Sequence, residues 1–296
     1  MSANTFARVQ AKLIQLIETE GANWTKSWVG SSRPANYLSK KPYRGLNYFW
    51  LAVQGYDSHE WGTWKQWTDK GYKVKKDQRK QYTNIFFSQV KEKKESWLTP
   101  EEKAKYRASG KLPTYWCWAR YNVYNAEQIE NYTPEIADHE AKTELTEAET
   151  LEIDAFFQAT GAVINHGGDE AYYQPSTDQI FLPNKSDFHS DVDYYSTKGH
   201  ELTHWTANPK RLDRDLSRAL YAQEELIAEI GSAMLCAELG IEKTVRADHA
   251  QYINGWLEAI RDNEKAMTHA FSAAQKAFDY LMSLAKENTD AADKAA

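Results

Sequence analysis

His200-Glu201-Leu202-Thr203-His204 is an H-E-x-x-H pentapeptide, and its reading decides the fold and chemistry of this chain. On a helix, residues i and i+4 lie one above the other on one face, so both imidazoles can point at a single cation. Glu201, next to His200, then reaches water held on that cation, which is the pattern of a metal-dependent hydrolase. The flanking sequence supplies the helix. Asp187-Phe188-His189-Ser190-Asp191-Val192-Asp193 carries acidic and capping residues suited to a helix N-terminus. From Tyr195 the pattern runs helically to Trp205, and Asn208-Pro209 stops it because proline cannot continue a helix.

A catalytic zinc site takes a third protein ligand and leaves a position for water. The donor is expected on the next helix, Leu220–Gly231, where Glu225 and Glu229 stand one turn apart, 21 and 25 residues after His204. One binds metal; the other accepts a proton from a ligand imidazole. Glu229 lies among Ala228, Ile230 and Gly231, where an unpaired carboxylate is costly, and this favours it as the ligand. Glu225 has the spacing more familiar from thermolysin-like sites. Both remain open, with Glu229 preferred. Zinc is the default cofactor, and a site of two histidines and a glutamate also admits manganese. Glu201 is the expected general base, taking a proton from water and passing it to the leaving amine.

Upstream, Ala171–Pro175 and Gln179–Pro183 around Ser176-Thr177-Asp178 read as a hairpin. In zinc peptidases such an edge strand commonly pairs with extended substrate. Tyr172, Tyr173, Tyr194 and Tyr195 are candidates for a hydroxyl that stabilises a tetrahedral intermediate, each competing with a plain packing role.

The net charge of −6 over 296 residues hides an asymmetry: residues 1–130 carry +10 and the remainder −16. Nine of the eleven tryptophans also fall before residue 130, among them Trp24, Trp28, Trp64 and Trp97. Cations for phosphates and aromatic faces for bases are the mixture that binds single-stranded nucleic acid. The candidate DNA-binding residues are Lys40, Lys41, Arg44, Trp64, Lys73, Lys75, Lys76, Arg79 and Lys80. Most of the remaining rings are needed for the core.

The expected organisation is α+β: a mixed N-terminal domain with a small sheet (1–130), an acidic linker (131–149), a mostly helical metal domain with a β-hairpin (150–287) and a disordered tail (288–296). In the first part a helix is expected from Ser58 through Trp67, strands at Tyr72–Lys76, Ile85–Val90 and Thr114–Tyr124, and a charged excursion with a helical portion at Lys91–Lys111. Further helices are expected at Glu147–Thr160, around Tyr252–Ile260, and from Asn263 to Lys286. Two cysteines, Cys117 and Cys236, give no disulfide framework. The N-terminus lacks the pattern of a signal peptide, and no apolar run approaches the roughly 18–20 residues that span a bilayer. A soluble, cytoplasmic protein without a membrane partner is expected.

Tyr43-Arg44-Gly45-Leu46-Asn47, Trp61-Gly62-Thr63-Trp64-Lys65-Gln66, Tyr124–Ile129, Asp178–Pro183, Lys198–Trp205 and Glu224–Gly231 together resemble the ArdC antirestriction proteins of conjugative plasmids, over nearly the whole chain. The resemblance implies an N-terminal single-stranded-DNA-binding domain, a C-terminal zincin-like metallopeptidase domain, and protection of incoming plasmid DNA from host restriction. Three readings compete. The first is an antirestriction protein whose peptidase acts on a host protein. The second is a single-stranded-DNA shield with a non-catalytic metal site. The third is a DNA-dependent repair protease acting on DNA-bound proteins. Mutation of Glu201 separates the first two, and cleavage of arbitrary DNA-bound proteins marks the third.

Overall fold

A computed structural model describes residues 3–21, 24, 33–136, 144–241, 253–262 and 264–295. Trp28, Tyr252 and most of the middle of the acidic linker lie outside them. The first half opens with helix α1 (Ala3–Glu20), whose apolar stripe of Val9, Leu13, Leu16 and Ile17 is buried. A four-stranded sheet follows in the order β1-β2-β5-β4, from β1 (Ala35–Asn36), β2 (Glu60–Thr63), β4 (Thr83–Glu92) and β5 (Thr114–Asn125). β3 (Lys73–Val74) and β6 (Ile129–Glu130) form a separate antiparallel pair. Short helices α2 (Leu46–Ala52) and α3 (Trp64–Asp69) flank the sheet, and α4 (Pro100–Ser109) sits in the β4–β5 connection. That last helix realises the helical portion expected within Lys91–Lys111; Thr99 and Glu102 form its capping box.

The helix expected from Ser58 is a strand followed by a helix. Glu60 and Trp61 are fully buried in β2, where an extended chain is hydrogen-bonded on both sides. Helix α3 starts only at the capping box of Thr63 and Gln66. Gly62 between them has a steric reason. A Cβ there would lie 2.7 Å from the Tyr37 ring and 2.8 Å from Trp67 Nε1. Those two rings stack at 3.5 Å, and Trp67 Nε1 donates to the Gly62 carbonyl at 3.1 Å.

Among the described residues of this half, Glu60 is the buried charge. Its carboxylate accepts from Lys40 Nζ (2.8 Å), from the Tyr132 hydroxyl (2.9 Å) and from the Glu135 backbone N–H (3.0 Å). The first residues of the acidic linker are therefore docked onto the sheet. Burial alone would raise the Glu60 carboxyl, but Lys40, the Glu135 N–H and Tyr132 outweigh it and hold it below its ordinary value of about 4.5. A carboxyl depressed on folding stabilises above its unfolded value and loses that contribution as pH falls through the folded one. Wild type should therefore lose more thermal stability than Glu60→Gln as pH falls from about 5, by roughly 1–3 kcal/mol for the charged hydrogen bonds involved. Parallel melting curves for the two proteins as pH falls would show Glu60 to be a bystander.

The second half begins with α5 (Glu147–Ala159), capped by Thr146, as expected from the sequence. β8 (Tyr172–Gln174) and β9 (Gln179–Leu182) form the expected hairpin. A strand missed in the sequence, β7 (Val163–His166), pairs parallel to β9 and makes the sheet β7-β9-β8. Four residues ending at Gly167-Gly168 are too few to show a period. Helices α6 (Asp191–Trp205), α7 (Tyr221–Leu239), α8 (Ile253–Asp262) and α9 (Glu264–Ala295) complete the fold. Helix α9 continues to Ala295 through the stretch expected from the sequence to be a tail. The architecture is α+β.

The largest hydrophobic core joins the two halves. Val9, Leu13, Trp24, Phe49 and Trp50 belong to the same buried cluster as Trp256, Ile260 and Phe271. Phe49 meets Phe271 at 5.0 Å between centroids, Gln10 Nε2 donates to the Ile260 carbonyl at 2.6 Å, and the Gly45 N–H donates to Gln275 Oε1 at 2.7 Å. Among the described residues no helix is long and apolar enough to cross a membrane.

Candidate metal centre and nucleic-acid face

Helices α6 and α7 carry the candidate metal-site residues, and small side chains let them approach. A Cβ on Gly231 would stand 2.6 Å from Thr203 Cγ2, and Ser232 Oγ donates to the Ser196 carbonyl at 2.9 Å. Ser190 caps the first turn of α6 by accepting from the Asp193 N–H. The interface leaves His200, Glu201, His204, Glu225 and Glu229 all buried.

His200 Nε2 and His204 Nε2 lie 3.2 Å apart. One Glu225 oxygen is 3.3 Å from His200 Nε2 and the other 3.4 Å from His204 Nε2. Ligand atoms of these three residues fall within 4.8 Å of one another, the arrangement that can hold one ion. Glu229 is elsewhere: its Oε2 lies 3.6 Å from His200 Nδ1, on the far side of the ring. The geometry thus favours Glu225, which the sequence reading placed second, over Glu229: Glu225 faces the two Nε2 atoms and Glu229 lies behind His200. The physical reason is position along the helix, since one turn carries a carboxylate roughly 6 Å along the axis, past the imidazole from Nε2 to Nδ1.

Glu224 was missed in the sequence reading. Its Oε1 lies 3.2 Å from His204 Nδ1, and Arg214 grips it with Nε to Oε2 at 2.9 Å and Nη2 to Oε1 at 2.7 Å. Arg214 also donates to the Thr203 carbonyl and to Thr206 Oγ1, both at 2.8 Å, closing the loop after α6 onto its own end. The adjacent Glu224-Glu225 pair was the one available sign. Arg214, in an irregular loop, carried none.

Charge is unevenly balanced in the site. Burial alone would raise the Glu225 carboxyl, but His200 and His204 hold it well below the usual carboxylate range. Burial would lower His204, yet Glu224 and Glu225 outweigh it and push the imidazole up to about 10. The cluster therefore favours positive charge between the rings. Two imidazole Nε2 atoms and a carboxylate, with a carboxylate behind each Nδ1, are the donor chemistry that zinc and manganese accept.

Of the four candidate tyrosines, three hydroxyls are engaged. Tyr173 donates to Asp178 Oδ1 and accepts from Asn208 Nδ2, both at 3.0 Å. The Tyr194 hydroxyl is 2.8 Å from His166 Nε2, and Lys185 Nζ donates to Tyr195 at 3.3 Å. Tyr172 stacks on Phe181 and is exposed.

In the first half, Trp64 and Tyr82 are exposed and each meets the Tyr124 ring edge-on, at 5.8 and 6.4 Å between centroids. The Arg79 guanidinium lies 5.8 Å from the Trp64 ring centre. Lys73, Lys76 and Lys80 are exposed nearby in sequence, while Lys75 Nζ donates to the Glu127 carbonyl at 2.6 Å. Lys40 is committed to Glu60, with Lys41 exposed beside it. Arg44 stands apart, paired with Asp279 on α9.

Residues 3–124 match the N-terminal domain of the anti-restriction factor ArdC, and residues 151–276 match a zincin-like metallopeptidase domain. The crystal structure of metal-free ArdC from plasmid R388 superposes with a TM-score of 0.80 at 34% identity, over 97% of this chain and 99% of that one. This chain belongs to the ArdC antirestriction family. The Mn(II)-bound R388 ArdC structure matches with a TM-score of 0.74 at 34% identity, covering 95% and 97% of the two chains. Among curated proteins, y4eC of Sinorhizobium fredii is 35% identical over 93% of this chain and 91% of its own length. The DNA primase TraC of Escherichia coli is also 35% identical over 93% of this chain, which spans 27% of that longer protein. Within the ArdC family, the second half of this chain carries the zincin-like domain, and such a domain implies a metal.

Proposed function

We propose that this ArdC-family protein binds single-stranded DNA through its first half, hydrolyses peptide bonds at a metal site in its second, and protects incoming plasmid DNA from host restriction. The observation that carries the peptidase part is the convergence of His200, His204 and Glu225 on one point. Bound there, zinc or manganese supplies Lewis-acid polarisation of a carbonyl and makes water acidic enough to deprotonate near neutral pH. His200, His204 and Glu225 hold the ion. Glu224, fixed by Arg214, and Glu229 keep the two rings turned so that Nε2 faces inward. Glu201 accepts the proton of the attacking water and returns it to the departing amine. The protein substrate is a host protein, either a restriction enzyme or another DNA-bound protein. The cytoplasm is the compartment that fits, since restriction enzymes meet entering DNA there.

The DNA part is supported by the Trp64–Tyr82–Arg79 cluster and by the +10 charge of residues 1–130. Glu201→Gln is expected to keep metal and DNA binding while peptide hydrolysis falls by about 10²–10⁴, the usual contribution of a positioned base. Transfer of plasmid into a restricting host, scored with wild type and Glu201→Gln, tests the whole reading. Unchanged protection by Glu201→Gln would leave a single-stranded-DNA shield and remove the peptidase from the function.

A further inference from the structure

The β4–β5 hairpin outruns its sheet. β2 pairs with β5 only from Val123 to Asn125, while β4 and β5 pair with each other out to Glu92 and Thr114. Beyond the sheet this is a two-stranded ribbon among the described residues. Strand alternation puts Ile85, Phe87 and Lys91 on one face, opposite Tyr121, Ala119 and Tyr115 respectively. At its inner end this face is core: Ile85 and Val123 are buried with Trp61. Further out it enters solvent with its aromatics still on it. Phe87 and Tyr121 are 45% and 46% exposed, and their rings meet edge-on at 5.9 Å. Beyond them, Tyr115 meets Trp97 at 5.8 Å, and Trp97 is 54% exposed with Lys94 Nζ 5.4 Å from its ring centre.

Exposed aromatics on an open ribbon are a liability unless something covers them. Charge selects the occupant. Residues 91–120 hold eight Lys and Arg against four Glu, and two of those glutamates are engaged locally, Glu102 by Lys93 at 2.6 Å and Glu95 by the Tyr106 hydroxyl at 3.0 Å. A surface of flat rings edged by excess cations is complementary to a polyanion that carries flat rings of its own. Duplex DNA hides its base faces. We propose that the outer face of the β4–β5 ribbon is a second stacking platform for single-stranded nucleic acid, with bases on Phe87 and Tyr121, then on Tyr115 and Trp97, and phosphates on Lys91 and Lys94. This rests on the reading that the chain binds single strands. It adds a surface separate from the Trp64–Tyr82 cluster, since Tyr82 and Phe87 are about 17 Å apart along an extended strand.

The test uses the full chain and labelled oligothymidylates of about 6 and about 20 nucleotides, with binding read by fluorescence anisotropy. For the longer strand, Phe87→Ala/Tyr121→Ala and Trp97→Ala should each weaken binding about tenfold or more, from stacking lost at each base. Tyr121→Phe keeps the ring face and should bind like wild type. Lys94→Gln should reduce the log–log salt slope by about 0.7. The shorter strand, able to occupy one platform at a time, should bind more weakly and respond less to the ribbon variants. Melting curves establish that these exposed positions leave the fold intact. If wild type itself fails to bind either strand, the single-strand reading falls and this proposal with it. If wild type binds while all ribbon variants stay within about twofold, the ribbon platform alone is overturned and the face belongs to a protein partner.

Discussion

Glu225→Ala is expected to lose stoichiometric zinc or manganese altogether, while Glu229→Ala keeps a metal bound about 10- to 100-fold more weakly. The difference follows from which imidazole nitrogen each carboxylate faces. Glu225 approaches both Nε2 atoms, at 3.3 and 3.4 Å, so its removal leaves two ligands where a catalytic ion needs three. Glu229 lies 3.6 Å from His200 Nδ1 and acts by orienting that ring. Glu224→Ala should resemble Glu229→Ala, because it serves His204 in the same way and is itself fixed by Arg214. His200→Ala and His204→Ala should match Glu225→Ala. Glu201→Ala should keep its metal. Metal content after dialysis against a weak chelator, measured for all six proteins, separates the two classes. Metal retained by Glu225→Ala and lost by Glu229→Ala would restore the assignment that burial alone favours from the sequence.

The part of the site that the sequence revealed was the part fixed by helix period. His200, Glu201 and His204 have one possible arrangement on a helix, and capping at Ser190 marks where that helix begins. The glutamates on α7 gave an ambiguous reading because a helix face narrows the choice to positions a turn apart and leaves the offset along the axis, relative to α6, open. That offset is set by packing, through the close approach at Gly231 and Thr203. Glu229 read as ligand because its neighbours are apolar. In the structure the same burial serves a carboxylate behind the ring. In the first half, the Ser58 signal lost to the stronger capping box at Thr63, and β7 was too short to announce itself. Trp64 is the one tryptophan of nine named from the sequence as a DNA-binding candidate; its exposure beside Tyr82 and Arg79 depends on contacts that the sequence does not display.

Cutting the chain within the acidic linker is expected to leave neither piece stably folded, although charge divides cleanly there. The reason lies in the shared core. Leu13, Ile17, Trp24, Phe49 and Trp50 of the first piece are buried in one cluster with Trp256, Ile260, Phe271 and Leu281 of the second. Each such side chain contributes about 1.5–3 kcal/mol when fully buried. Exposing even five of them costs an amount comparable to the whole net stability of a typical domain, about 5–15 kcal/mol. Polar ties are lost as well, including Gly45 N–H to Gln275 and Gln10 to the Ile260 carbonyl. Residues 1–136 alone should therefore aggregate or melt without cooperativity, and coexpression with residues 144–296 should recover a soluble complex. Recovery requires α1 specifically, so Leu13→Asp in the first piece should prevent it, whereas the exposed change Trp64→Ala should not. A fragment of residues 1–136 that melts cooperatively and binds single-stranded DNA like the full chain would show that the two smaller cores, Trp67 with Tyr37, Val74 and Tyr124 and Trp61 with Ile85 and Val123, suffice without the shared one.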